Sequence, residues 1–499
     1  MSYIKQTVLV LCIGLALALT SCKSSPTSLL KAIPEDAAFV FAVRPWQLYT
    51  KGGLEKLENF KLYREVQRGL RYLDRETREL IEDLLKDPRS MGVDLEKAYL
   101  FGVLGLYDFS VGMVFKMNNL RTFDNKVPKI LREAGFRVRD MNGYKVAEDY
   151  GFGVAWNKNM VVFGSGDFDE MFNPKGKTIA DNPDFVNFDN SNFDAGIWAS
   201  FQTLLGMVDR RILRETPMLE DMSDMNFQFF LNFDKNEINL SFEMTPEAKA
   251  KEYFEKYAVI KKDFDNKLLS VFPEKSYLTA KQSINIPEYV KIIASNNPYL
   301  DEKLIDHEVH SIINGLGGDI LFSIFDFQQD NYQPKPLGGL AFTVKSMDVF
   351  DNLMGLIPEY IMYKRDEHYE MTLLRDMTFY FAFKNNIVFV TNDNNAITAF
   401  TGAGQNKSLS ASAEMDKSSI YFYVDLDLDS YPTNIHRFLR NQLGSDIANL
   451  FNIMKPFKDL TLKAENDYKS TVSIRFKEGH HNTLQQILSQ IDEMAYNSL

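Results

Sequence analysis

His307 and His310 stand three residues apart, so a helix would set both imidazoles on one face, as a zinc site begins. The zincin pattern needs a spacing of four and a further ligand, so two histidines on an exposed helix are the plainer reading. His480 and His481 follow Glu478-Gly479 and read as a loop or a helix start. Asp425, Asp427 and Asp429 alternate and offer three carboxylates to calcium. An EF-hand loop starting there would need glycine at Ser430 and a bidentate acid at His436, so the acids read instead as the wet side of a strand. Nucleophilic chemistry has no Gly-x-Ser-x-Gly elbow to rest on, and Ser28-Leu29-Leu30-Lys31 has the Ser-x-x-Lys spacing without a companion motif. Gly402-Ala403-Gly404 and Gly315-Leu316-Gly317-Gly318 lack the lysine and the length of a phosphate loop. Glu220-Asp221 is one adjacency in a chain with 68 acidic residues, which is no specific glycosidase pair. The sequence therefore assigns no catalytic residue, no metal ligand and no cofactor.

The chemistry it does assign is at the start of the chain. Lys5 precedes an apolar run over residues 8–19, and Thr20 and Ser21 follow, which makes a signal peptide too short to cross a bilayer. Leu19-Thr20-Ser21-Cys22 resembles a bacterial lipobox, in which Cys22 is lipidated and becomes the first residue. The chain has two cysteines, and Cys12 lies in the removed segment, so no free thiol or disulfide remains. Several acyl chains on Cys22 would hold the protein on a membrane, with 1–21 as signal peptide and 22–29 as a lipidated tether. Lys23 is neither the retention signal for an inner membrane nor part of an acidic export cluster. The expected place is the outer membrane, lipid-anchored and facing the periplasm.

The 499 residues are 45% hydrophobic and 25% charged, an ordinary globular composition. The net charge of −12 is spread along the chain, which excludes nucleic acid as a partner and leaves the anchor as the link to a membrane.

The elements that would position a site recur along the chain. Gly112-Met113-Val114-Phe115 returns as Gly339-Leu340-Ala341-Phe342, and Ala155-Trp156 as Ala382-Phe383, the same 227-residue step each time. Ile33-Pro34-Glu35 and Phe272-Pro273-Glu274 stand before the first strand of each copy. Leu70, Leu73, Leu80 and Leu84, and again Tyr253, Phe254, Tyr257 and Ile260, have helical spacing. Ile420, Phe422, Val424, Leu426 and Leu428 alternate with polar residues as one strand with a buried apolar face. Asn157-Lys158-Asn159, Asp234-Lys235-Asn236 and Asn466-Asp467 mark hairpin turns. The expected fold is α+β: two tandem duplicated halves, 30–265 and 266–499, each with largely antiparallel sheets and helices packed on one face.

Ile33-Pro34-Glu35-Asp36-Ala37, Gly52-Gly53-Leu54 and Asp87-Pro88-Arg89-Ser90-Met91-Gly92-Val93-Asp94-Leu95 together resemble an uncharacterised family of Bacteroidetes lipoproteins, a domain of unknown function. The resemblance spans nearly the whole mature chain and implies a bacterial envelope and a repeated α+β body. It supplies no site residues. By their chemistry these motifs are turns and caps: Asp36 turns or caps, Gly92 offers a backbone position without a Cβ, and Pro34 and Pro88 stop helices.

Phe227-Gln228-Phe229-Phe230 and Tyr421-Phe422-Tyr423 put aromatics on both faces of their strands. The outward ones either stack on sugars or a partner protein, or lie under a second layer. The function expected is a non-enzymatic binding or scaffold module of the cell envelope, with a protein or glycan partner. The alternative is an envelope hydrolase acting on glycan or peptide through dispersed carboxylates.

Overall fold

The computed structural model describes residues 27–498 apart from 105–108, 150–151, 166–167, 207, 209, 216–217, 257–258, 262, 297–306, 329–332, 375–376, 403–408, 410–414, 416–417, 445–446 and 480. Cys22 and the lipobox residues Leu19, Thr20 and Ser21 lie outside the described residues, as do His480 and Ala403-Gly404. The chain folds into two compact units, the first of residues up to Ala250 together with Glu478–Leu499, the second Lys251–Lys477. Both are mixtures of helices and antiparallel strands.

In the first unit the strands are β1 (Ala37–Val43), β2 (Val93–Leu104), β3 (Phe109–Met117), β4 (Val138–Met141), β5 (Tyr144–Asp149), β6 (Phe152–Trp156), β7 (Met160–Ser165), β8 (Ala195–Ser200), β9 (Met225–Phe233) and β10 (Glu237–Pro246). They pair antiparallel in the order β4-β5-β6-β7-β3-β2-β1-β8-β9-β10. The turn between β4 and β5 is Asn142-Gly143, both at positive φ, as a tight hairpin requires. The leucine spacing over 70–84 resolves into two helices, α1 (Lys61–Leu70) and α2 (Arg75–Lys86). Asp74 divides them because its side chain accepts from the Thr77 N–H and starts a new helix. Gly92 follows the turn Pro88–Met91 at φ +87, and its carbonyl accepts from the N–H groups of Asn118 and Asn119. A Cβ there would stand 2.5 Å from the Asn119 carbonyl oxygen. Gly92→Ala is expected to cost about 2 kcal/mol, from the left-handed backbone and the displaced loop. A urea midpoint that moves by less than about 0.5 kcal/mol equivalent would refute this.

Consecutive strand residues point to opposite faces, and here each finds its own core. Val114 packs with Val40, Phe101 and Val162 under helix α4 (Pro183–Asn190), through Phe185 and Phe188. Phe115 packs with Val161 and Trp156 under helix α3 (Leu120–Glu133), through Phe123, Val127 and Ile130. Helices thus cover both faces of the sheet rather than one. The reason is that the strands of the β3 region are apolar on both sides, so one helical layer cannot bury them.

In the second unit the strands are β11 (Leu278–Ser283), β12 (Leu316–Gln328), β13 (Lys335–Val344), β14 (Met362–Lys364), β15 (Tyr369–Leu374), β16 (Met377–Lys384), β17 (Ile387–Thr391), β18 (Ile420–Asp425), β19 (Phe457–Asn466) and β20 (Lys469–Phe476). Their order is β14-β15-β16-β17-β13-β12-β11-β18-β19-β20. The register repeats as well. Gly112 pairs with Gly164 and Gly339 with Thr391, and Ala155 with Val162 as Ala382 with Phe389. Helix α5 (Met347–Gly355) lies over Phe381 and Val388, and helix α6 (Asn394–Thr401) packs its Ala396 and Ile397 with Ala341 and Phe389.

Two boundaries differ from the sequence pattern. Thr27–Leu30 is already a helical turn with Leu29 and Leu30 buried in the core, so the folded chain begins before residue 30. The C-terminal helix α7 (Thr483–Ser498) belongs to the first unit, where the Thr483 N–H donates to the Asp234 carbonyl at 3.1 Å.

Candidate functional site

The register Val40–Trp198–Gln228 brings the start of β1, the end of β8 and the start of β9 to one end of the first unit's sheet. Two loops wall that end. The Ile179 N–H donates to the Ile33 carbonyl at 2.9 Å, and Pro34 bridges Thr178. The wall is pinned by Asp181, whose carboxylate accepts from the Thr178 N–H at 3.0 Å, a bond that holds its pKa below the usual carboxylate range. Between these loops and the helix Phe201–Leu205 lies a cleft of about 720 Å³, lined by Lys31, Asp36, Lys175, Trp198, Gln202 and Glu247 among others. That volume is in the range of sites for small ligands.

Trp198 lies at the cleft's apolar side, 1% exposed, with its ring edge-on to Phe185 at 5.6 Å between centroids. Its Nε1–H finds no acceptor among the described residues. Other lining groups are spent on structure. The Asp224 carboxylate accepts from the N–H groups of Lys249 and Ala250, both at 2.8 Å, and the Asn226 amide donates to Asp184 at 2.9 Å. Among the described residues its lining offers ammonium, carboxylate, amide and hydroxyl groups, all of which make hydrogen bonds.

A second feature occupies the opposite face of the same strands. Leu100, Phe41, Ile197, Phe229 and Phe242 form one in-register row across five strands. Ile197 is 39% exposed and Phe229 36%. The second unit has a row at the matching positions, Phe322, Ala280, Phe422, Leu462 and Val472, with Phe322 36% exposed. Leu340 continues this row and lines an apolar cavity of about 230 Å³ with Ile320, Phe342 and Leu353.

These rows correct the expected orientation of β18. Tyr421 is buried in the core and Tyr423 packs on it, while Ile420, Phe422 and Val424 lie half-buried on the other face. The strand also ends at Asp425. Asp427 then caps the short turn Leu428–Ser430, and the Lys477 ammonium pairs with Asp427 at 2.7 Å and Asp429 at 3.0 Å. A tyrosine ring is as good a core residue as a leucine, so alternation alone could not choose the face. Among the described residues no group of acids, histidines or cysteines is arranged to hold a metal. His310 is exposed on the helix His307–Gly315, and His436 Nε2 lies 2.7 Å from the Leu428 carbonyl.

Lys97, Asp189 and Tyr99 form a buried polar group in the first unit. The ammonium lies 2.5 Å from the Asp189 carboxylate, and the Tyr99 hydroxyl donates to it at 2.9 Å. Burial pushes the tyrosine well above its ordinary value and holds Lys97 below the usual lysine range in spite of Asp189. None of the three lines the cleft, so this is a structural ion pair.

A family model described as "Domain of unknown function (DUF4836)" matches residues 30–484. The chain belongs to this family. No curated protein matches the sequence. The solved structures of TP0453 in crystal forms IV and I are 11% and 14% identical to this chain. They cover 44% and 43% of it, and 83% and 78% of their own chains, each at a TM-score of 0.25. Likeness at that level carries no argument. Membership of the family rests on the whole span and names no site, so the cleft residues Lys31, Trp198 and Gln202 were legible only as one of three tryptophans and two polar residues far apart in the chain.

Proposed function

We propose that this protein is a cell-envelope lipoprotein that acts as a non-enzymatic binding module, built from two tandem copies of one α+β unit and anchored through Cys22. The observation that carries the reading is the half-exposed apolar row at matching positions of both units. A contiguous apolar surface of this kind marks an interaction site. Phe229 and Phe322 are large anchors of the sort that dominate protein interfaces. The shared strand order and the 227-residue register support the duplication. The polar tether and the acyl chains would keep the body at the outer membrane, facing the periplasm, and a net charge of −12 argues against nucleic acid. Among the described residues no helix is long and apolar enough to cross a membrane.

The test is in-cell crosslinking of the full lipoprotein beside Cys22→Ala and the pair Phe229→Glu with Phe322→Glu. One stoichiometric envelope protein should be captured by the wild type. Its yield should fall at least tenfold with the paired substitution, and again when the anchor is lost. Equal capture by the paired variant would show that the apolar rows are not the binding surface.

A further inference from the structure

We propose that the apolar cavity of the second unit binds the chain of a fatty acid, with the Lys261 ammonium pairing with the carboxylate at its rim. The proposal needs no protein partner on the apolar rows.

The duplication shows why the cavity exists. The Gly92 carbonyl accepts from the Asn118 N–H and the Gly315 carbonyl from the Lys345 N–H. Asn118 and Lys345 are one 227-residue step apart, so the two glycines correspond. Met91, before the first glycine, is fully buried and clusters with Val93, Ala98 and Phe115. Before the second glycine stands Asn314, which is exposed. The strand pairings make Leu316, Ile320 and Phe342 the counterparts of Val93, Ala98 and Phe115. Those three are only half-buried, although Leu316 and Ile320 are larger than the residues they match. The methionine that seals the first unit thus has no equivalent in the second, and about 230 Å³ stays open.

Three observations select the ligand. First, Leu316, Ile320, Leu340, Phe342 and Leu353 wall the cavity, and each is half-buried, so all are reachable from outside. The polar groups among them are spent. The Gly318 carbonyl accepts from the Ile284 N–H at 3.0 Å, and the Thr343 Oγ1 is sealed against Gly317. Such a lining would strand the hydroxyls of a sugar or the amides of a peptide, and it suits a hydrocarbon. β12 is paired to β11 and β13, and β13 to β12 and β17, so no strand edge is open to a peptide here either. Second, an apolar cavity of about 150 Å³ holds benzene, and by that measure this one takes about eight or nine chain carbons. Third, the Lys261 ammonium donates to the Gly317 carbonyl and pairs with no carboxylate among the described residues. It stands 3.1 Å from the place that a Cβ on the lining residue Gly318 would occupy. A cation without a counter-charge beside an apolar cavity selects an alkyl chain that ends in an anion over an alcohol or an apolar side chain of a protein.

The experiment uses the purified full chain with Cys22→Ala, so that neither an acyl chain nor detergent competes for the cavity. Calorimetry is run with hexanoate, octanoate, decanoate and dodecanoate, and with 1-octanol and N-acetyl-leucinamide as neutral probes. Affinity should rise about fourfold for each methylene from hexanoate to octanoate and level off beyond decanoate, where the cavity is full. Decanoate should bind with a Kd below about 1 mM. Octanoate should bind about fivefold more tightly than 1-octanol, and Lys261→Met should remove that difference. Leu340→Trp and Leu353→Trp, which fill the cavity, should each weaken decanoate about tenfold. If neither tryptophan variant folds, the chain-length series and Lys261→Met still decide the matter. The proposal is overturned by no fatty acid binding, by affinity that ignores chain length, by unchanged affinity in the folded variants, or by either neutral probe binding as tightly as octanoate.

Discussion

Replacing Asp189 with alanine is expected to remove about 3–5 kcal/mol from the stability of the first unit, the cost of stranding a buried charge. Asp189 keeps 4% of its side chain exposed and Lys97 12%, and the Tyr99 hydroxyl donates to the same carboxylate. Removing the carboxylate leaves the Tyr99 hydroxyl without its acceptor and the Lys97 ammonium with the Asp189 backbone carbonyl but no counter-charge in a dry place. Replacing both charges, Asp189→Leu with Lys97→Met, should recover most of the loss, because an apolar pair of similar volume has no desolvation to offset. The sign of the pH dependence follows from Lys97. Its folded pKa lies below the unfolded one, so the unfolded chain binds more protons in the window between them, and stability rises with pH there. Alanine at 189 widens that window. The penalty should therefore be largest near neutrality and shrink as the pH approaches the ordinary lysine range, about 10.4. Urea unfolding at neutral and alkaline pH measures it. A loss below about 1 kcal/mol, or one that grows with pH, would mean that the pair is hydrated and structurally idle.

Asp492→Ala is expected to cost about 2–3 kcal/mol, although Asp492 lies within seven residues of the end of the chain. Helix α1 follows Phe60, which has no side chain to cap it. The cap comes instead from α7, where the Asp492 carboxylate accepts from the N–H groups of Lys61 and Leu62, both at 2.7 Å. Two orphan amides and the positive end of a helix meet one buried carboxylate, a stronger arrangement than a neutral cap. Asp492→Asn keeps one acceptor without the charge and should lose about half as much. Hydrogen exchange at Lys61 and Leu62 reads the contact directly. Unchanged exchange at those two amides in Asp492→Ala would show that α7 does not cap α1.

Much of the local structure was legible because its physics is local. The repeated glycine and alanine blocks fall on β3, β6 and their counterparts β13 and β16, where residues without bulk allow close strand packing. Asp234-Lys235-Asn236 and Asn466-Asp467 do join β9 to β10 and β19 to β20, since short polar side chains satisfy the turn backbone. Pro88 opens a helical turn and Gly92 closes it at positive φ, each fixed by its own covalent geometry.

The rest depended on which distant residues meet. Alternation over 420–428 marked a strand but could not choose the core side, because Tyr421 and Phe422 bury equally well and only the helix and strand packed against them decide. Nothing near Lys61 announces that its cap is Asp492, and nothing in Trp198 announces Lys31 and Gln202 as neighbours. By itself the sequence determined the α+β character, the turns, the caps and the net charge of −12. Only the tertiary structure decided that helices cover both faces of the sheets around β3 and β13, that α7 returns to the first unit, and that a cleft opens at the strand ends. Periodicity and capping are properties of neighbours in the chain, whereas burial and hydrogen-bond partnership are properties of neighbours in space.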